Sequence, residues 1–168
     1  MRRVAQILVL TGIVLSFTAT AAWAVDPIST TRDGGLHFVG TPTVEVHKSS
    51  TEAYLTASGE VAGAGPTATA TLSSSAEVTR GCINRGSKDQ EPSGLQRSFT
   101  TVSGSTTFRT RSGRGTFTVE TAPRITAAPF ACPDRMVPVL VSVVFHDVTL
   151  TITSQTGTIT AFYGDIDP

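Results

Sequence analysis

The sequence predicts an all-β fold, an antiparallel β-sandwich with Greek-key, immunoglobulin-like connections, and three observations carry that prediction. Apolar and polar residues alternate with a period of two in segment after segment, and no stretch of useful length shows helical spacing. The chain is rich in Thr, Ser, Val, Ala and Gly and poor in Leu, Lys and Glu, which favours pleated strands over helices. Turn signals built from Gly, Pro, Asp and Ser separate about nine short strand-like segments. A closed β-barrel is the alternative architecture. The Cys…Trp…Cys pattern of true immunoglobulin domains is absent, so the prediction extends to the architecture and no further.

Residues 1–24 read as an export signal. Arg2 and Arg3 form a charged start, residues 7–17 an apolar run, and Ala22-Trp23-Ala24 a small-x-small cleavage site before Val25. The apolar run is too short for a membrane anchor, and no later run reaches membrane length, so no membrane span is expected after the signal is removed. The pair Arg2-Arg3 leaves both the general secretory and the twin-arginine routes open. The remaining 144 residues suit one domain able to bury a substantial core. Their 11 basic and 13 acidic residues give a formal charge of −2, which calls for neither nucleic acid nor a membrane surface as partner.

Residues 25–34 read as a flexible leader ending in Asp33-Gly34-Gly35, residues 35–164 as the single β-sandwich domain, and residues 165–168 as an acidic, frayed tail. Within the domain, strands are expected over 36–39 and 43–48, broken by Gly40-Thr41-Pro42, and then over 52–61. Residues 66–72 alternate Thr67, Thr69 and Thr71 against Ala68, Ala70 and Leu72, giving one wet face. Ser73-Ser74-Ser75 reads as a turn or bulge before the alternation resumes over 76–82. Residues 81–94 form a polar loop holding Asn84, Gly86, Lys88, Asp89, Glu91 and Pro92. Residues 99–110 and 116–121 look like the two arms of a hairpin across Ser112-Gly113-Arg114-Gly115, whose glycines supply positive backbone angles. Residues 123–133 are irregular. Residues 137–152 are the most apolar strand, but the buried parity changes near His146-Asp147: Val139, Val141, Val143 and Phe145 share one phase, and Val148, Leu150 and Ile152 the other. That change predicts a bulge or a strand passing between sheets. Gln155-Thr156-Gly157 turns the chain into a last strand over 158–163.

The two cysteines, Cys82 and Cys132, both follow the signal, and an even count in an exported chain reads as one disulfide closing a loop of about 50 residues, worth about 4 kcal/mol. Neither has a His or second Cys at ligand spacing, so no metal and no cofactor is expected there.

The segments Phe38-Val39-Gly40-Thr41-Pro42, Gly81-Cys82-Ile83-Asn84-Arg85-Gly86 and Cys132-Pro133, with Pro138-Val139-Leu140-Val141-Ser142-Val143, resemble those of small exported all-β proteins of unknown function from high-GC Gram-positive bacteria. The group shares a Cys-x-Asn segment, a Cys-Pro segment and a Val-rich late strand. The resemblance implies export, the Cys82–Cys132 bond and an all-β fold, and it transfers no catalytic residue. Typical members carry two consecutive glycines after the Asn, where this chain has Arg85 and Gly86.

Three readings of function follow. In the first, a secreted or loosely wall-associated, non-enzymatic β-sandwich binds an anionic cell-wall polymer or another extracellular protein. Residues 80–135 hold nine basic and four acidic residues, and Arg109, Arg111 and Arg114 crowd one end of the expected hairpin. The bland counterpart is a solvated face that protects an edge strand. In the second reading an exported hydrolase or metal-dependent enzyme uses His146 or His47; His146 adjoins Asp147, and Glu45 shares a strand face with His47. No Gly-x-Ser-x-Gly elbow is present, and no catalytic residue is assigned. The third reading is a protein–protein module such as an inhibitor or surface-layer component. The oligomeric state is not legible in the sequence.

Overall fold

Period-two patterning resolves into two antiparallel sheets packed face to face. The computed structural model describes residues 21–85 and 91–168. Its strands are β1 (Ala21–Val25), β2 (Ser29–Thr30), β3 (His37–Lys48), β4 (Glu52–Ala62), β5 (Thr67–Asn84), β6 (Ser93–Arg109), β7 (Gly115–Glu120), β8 (Ile125–Thr126), β9 (Met136–Ser154) and β10 (Gly157–Ile166). One sheet runs β1-β3-β4-β7, with β8 also beside β4, and the other runs β2-β10-β9-β5-β6. The fold is therefore a sandwich and not a closed barrel. After β8 the chain returns to lie beside β5, the non-local step of a Greek-key winding.

Alternate residues of each strand meet in one core. Val44, Val46, Leu55 and Ala57 from the first sheet face Leu72, Val78, Phe145, Leu150, Ile152 and Ile159 from the second, all without solvent exposure. Phe145 is the largest of these side chains, and truncating such a residue costs about 3–5 kcal/mol. The outer face of the second sheet is hydroxylated. Thr107, Thr69, Thr153 and Thr158 fall side by side across four strands, and Ser105, Thr71, Thr151 and Thr160 form the adjacent row. The Thr69 and Thr107 hydroxyls lie 3.0 Å apart, and those of Thr71 and Ser105 3.2 Å.

Several expectations change. Residues 99–110 and 116–121 are not hairpin arms: β6 pairs with β5 in unbroken register from Gln96 to Arg109, and after one shift again at Ser93, whereas β7 pairs with β4. The cause is burial, because Phe117 and Val119 need the core, and a β7 paired to β6 would lie in the other sheet. The two strands still touch where the sheets converge: Ala122 donates its N–H to the Ser103 carbonyl at 3.0 Å. Gly104 is required there, since a Cβ would sit 1.7 Å from the Glu120 carbonyl oxygen.

The break expected at residues 40–42 is a register shift inside the continuous strand β3, and at Ser73-Ser74-Ser75 the bulge alternative holds, as a register shift between β5 and β9 with no turn. The phase change at His146-Asp147 is a bulge, with Asp147 at φ 53°, because β9 remains beside β5 on both sides of it. The stretch 123–133 is less irregular than its composition suggests: β8 pairs with β4, and Ile125 and Ala127 are buried. The polar loop is shorter than 81–94, since β5 runs to Asn84 and β6 starts at Ser93; Gly86, Lys88 and Asp89 lie outside the described residues.

The leader expected over residues 25–34 is tied to β10. Ile28 and Thr31 donate N–H groups to Phe162 and Thr160, and the Asp33 carboxylate accepts from the Thr158 amide at 2.9 Å. The tail expected to fray is held as well, with Asp165 and Ile166 inside β10 and the Lys48 ammonium donating to the Pro168 carbonyl at 2.9 Å. The expected disulfide joins Cys82 to Cys132 and anchors the excursion that follows β8 to the end of β5.

Candidate functional site: an arginine groove between the sheets

Between β6 and β7 the chain makes a tight turn, in which Arg111 and Arg114 exchange backbone hydrogen bonds of 2.7 and 3.0 Å. Ser112 and Gly113 have φ of 50° and 77°, so this is a turn with two positive backbone angles, which Gly113 accommodates. It is fixed from behind. The Ala64 amide donates to the Gly113 carbonyl at 3.1 Å, the Thr110 amide to Pro66 at 3.1 Å, and the Thr110 hydroxyl to the Gly65 carbonyl. This scaffold brings all three arginines singled out in the sequence to one open groove of about 380 Å³, lined by Arg109, Arg111, Arg114, Glu60, Gly115 and Thr116. They arrive there by a different route from the one expected: Arg109 ends β6, Arg111 lies in the turn, and Arg114 precedes a strand of the other sheet.

Their electrostatic states differ. The Arg114 guanidinium donates through Nε to Glu60 Oε1 at 2.9 Å. Arg109 and Arg111 are exposed and form no ion pair with the described residues. Two guanidinium groups, each a planar donor fork suited to phosphate or carboxylate, therefore face solvent with their positive charge uncompensated. A lone carboxylate, Glu60, shares the groove.

The histidines are placed otherwise. His146 Nδ1 lies 3.0 Å from Asp165 Oδ2, while Asp165 Oδ1 accepts the Asp147 amide at 3.1 Å and the Ser74 hydroxyl donates to the His146 carbonyl at 2.8 Å. The bond to Asp165 raises the His146 pKa above its ordinary value, and the same bond, helped by the Asp147 amide, lowers that of Asp165. Asp165 was hidden in the sequence because residues 165–168 read as a tail. Its neighbour Ile166 pairs with Phe145, which sets it beside His146. No histidine lines this groove or either of the other two described grooves.

His47 stacks on the Tyr54 ring, with centroids 4.5 Å apart and planes at 13°, and its Nε2 lies 3.8 Å from Glu45. The Arg124 guanidinium also lies over the Tyr54 ring, 3.9 Å from its centroid, bonded to Glu120 at 2.7 Å and near Glu52 at 3.4 Å. Its carboxylate partners hold the Arg124 pKa above the usual arginine value, the Glu120 hydrogen bond first among them. No local pattern announces this cluster, because its members come from three separate strands and a connecting loop. Among the described residues no three His, Cys, Asp or Glu side chains come together as metal ligands, so Glu45 and His47 gain no third ligand there. His37 Nδ1 bonds the Gly35 carbonyl at 2.8 Å, a local structural contact. Among the described residues no helix is long and apolar enough to cross a membrane. Compared with known proteins, the chain matches no family model and no curated protein sequence.

Proposed function

We propose that the protein is an exported, non-enzymatic β-sandwich that binds an anionic polymer of the cell envelope through the groove of Arg109, Arg111 and Arg114. The observation that carries this reading is the pair Arg109 and Arg111, exposed beside Arg114 in one groove and unmatched by carboxylates among the described residues. Export is supported by the charged, apolar and small-residue succession of residues 1–24, and the disulfide is compatible with an oxidising compartment. A groove that ends a rigid turn presents its charges without first ordering a loop, which limits the entropy lost on binding.

The test is retention on purified cell wall of the processed protein and of a variant in which Arg109, Arg111 and Arg114 are all replaced by Ser. Retention of the unaltered protein that falls as salt rises, and is lost in the variant, is expected. Equal, salt-insensitive retention of both overturns the proposal.

A second reading, an exported hydrolase built on His146, draws on the 3.0 Å contact with Asp165 and on Ser75, which opposes His146 across β5 and β9. It requires turnover of an activated ester that His146→Ala abolishes; identical turnover by both proteins excludes it.

A further inference from the structure

The strand that ends the second sheet, β6, is open along its first half. From Gln96 to Arg109 it pairs with β5 in unbroken register, so the backbone groups of alternate residues point toward β5 and those of the others away from it. Ser103 exchanges both of its backbone hydrogen bonds with Ala122, on the side away from β5. Arg97, Phe99 and Thr101 share its parity and direct their N–H and C=O groups to that same side, where no strand of the described residues meets them.

Sheets commonly blunt such an edge with lysine or proline, and residues 95–102 contain neither. Their one charge, Arg97, is drawn onto Glu77 at 2.6 Å. Leu95 and Phe99 stand on the outer face, 61% and 69% exposed. On the inner face Thr100 and Val102 border a recess of about 190 Å³, closed opposite by Pro123, Ile125 and Pro129. Two arginines line it, and they differ. Arg124 is matched by Glu120 and Glu52. Arg80 forms no ion pair with the described residues: its Nε donates to the Thr126 carbonyl at 3.0 Å and its Nη1 to the Ser98 hydroxyl at 2.9 Å, which leaves the rest of its donor fork for an anion.

We propose that β6 takes up, as an added strand, an extended segment of a partner protein in which one acidic residue stands between apolar neighbours. The backbone of that segment pairs with the outward groups of Arg97, Phe99 and Thr101, and its side chains alternate between the two faces. Those opposite Phe99 share the outer face with its ring and call for apolar residues. Those opposite Ser98 and Thr100 enter the recess, where the uncompensated Arg80 selects a carboxylate and rejects a cation. Strand β6 of a second copy is the poorer occupant, because residues 95–102 hold no carboxylate to offer. The site is separate from the arginine groove, which lies at the far end of β6.

The probe is a library of heptapeptides displayed on phage and panned against the purified, folded protein. Enriched sequences should place Asp or Glu between two β-branched or aromatic residues. The consensus peptide, added to isotope-labelled protein, should slow hydrogen exchange at the Phe99 and Thr101 amides and leave those of Ser98 and Thr100, already bonded to β5, nearly unchanged. Thr101→Pro removes an outward N–H without touching the ladder to β5 and should abolish binding. Arg80→Gln should weaken binding about tenfold, the worth of a hydrogen bond between charged groups. The variant with Ser at Arg109, Arg111 and Arg114 should bind the peptide as the unaltered protein does, so failure here leaves the groove reading intact. Absence of enrichment, a consensus without a carboxylate, or unchanged exchange at Phe99 and Thr101 overturns the proposal. Slowing of the same amides by rising protein concentration alone also overturns it, by assigning the edge to a second copy.

Discussion

Two arginine sites on this molecule have opposite characters, and the contrast separates structural from available charge. Arg124 is saturated: Glu120 bonds it, Glu52 lies within reach, and Tyr54 covers one face of its guanidinium. Together with His47, which stacks on the same Tyr54 ring, it ties the β7–β8 connection to strands β3 and β4. At the turn between β6 and β7 the balance is reversed. Three guanidiniums share one carboxylate, and Arg109 and Arg111 are left to solvent. Arginine count alone therefore says little about binding; what counts is how many carboxylates the fold brings within reach of each one.

Four measurements probe how far the two arginine sites differ. The largest effect belongs to the cross-link. Replacing Cys82 and Cys132 by Ser opens a loop closed over a separation of 50 residues, which should lower stability by about 4 kcal/mol on the chain-entropy estimate. Urea titration measures this, and wall retention of the folded fraction should be unchanged, because the Arg111–Arg114 turn is braced by residues 63–66 and not by the disulfide.

Next in size are the groove substitutions. Arg109→Ser and Arg111→Ser should each weaken binding to the anionic polymer by about tenfold, taking about 1.5 kcal/mol for a hydrogen bond to a charged group. Binding isotherms at several salt concentrations check this, and Arg114→Ser should do less because Glu60 already engages that side chain. Third, Arg124→Ala should lower Tm modestly through loss of the stacked and ion-paired contacts while leaving binding untouched; a loss of binding would erase the distinction between the two sites.

The smallest effect is one of pH. With its pKa raised by Asp165, His146 stabilises the fold below its ordinary value of 6.5, and that contribution is lost as pH rises through the raised value. Asp165, lowered, contributes above its ordinary value of 3.8 and loses that contribution as pH falls through the lowered one. His146→Asn should therefore flatten the slight decline of Tm on passing from mildly acidic to alkaline pH, as thermal melts across that range will show.

The sequence disclosed what depends on local pattern. Alternation such as Thr67 to Leu72 identifies a half-buried strand without further context, and the switch of parity between Phe145 and Val148 locates the bulge. It misled where tertiary burial outranks a local turn signal. The residues around Ser112-Gly113 do turn tightly, but Phe117 and Val119 carry the next strand across to the other sheet. It was silent where side chains from distant segments converge, as Arg124, Tyr54 and His47 do, or Asp165 on His146. The segments at both ends read as loose because they are polar and rich in turn formers, yet backbone pairing to β10 and the contacts of Lys48 and Asp33 hold them. The arginine cluster was legible because its members lie within six residues of one another, so that either topology leaves them neighbours.

The rows of threonine and serine across β6, β5, β9 and β10 bear on colloidal behaviour. Near neutral pH the chain has little net charge, so repulsion between molecules is weak. A broad hydroxylated face stays hydrated without ionisation, and neither acid nor brine can neutralise it. Hydration of that face does not depend on the charge that the arginine turn displays, and neutralising the turn would leave it unchanged.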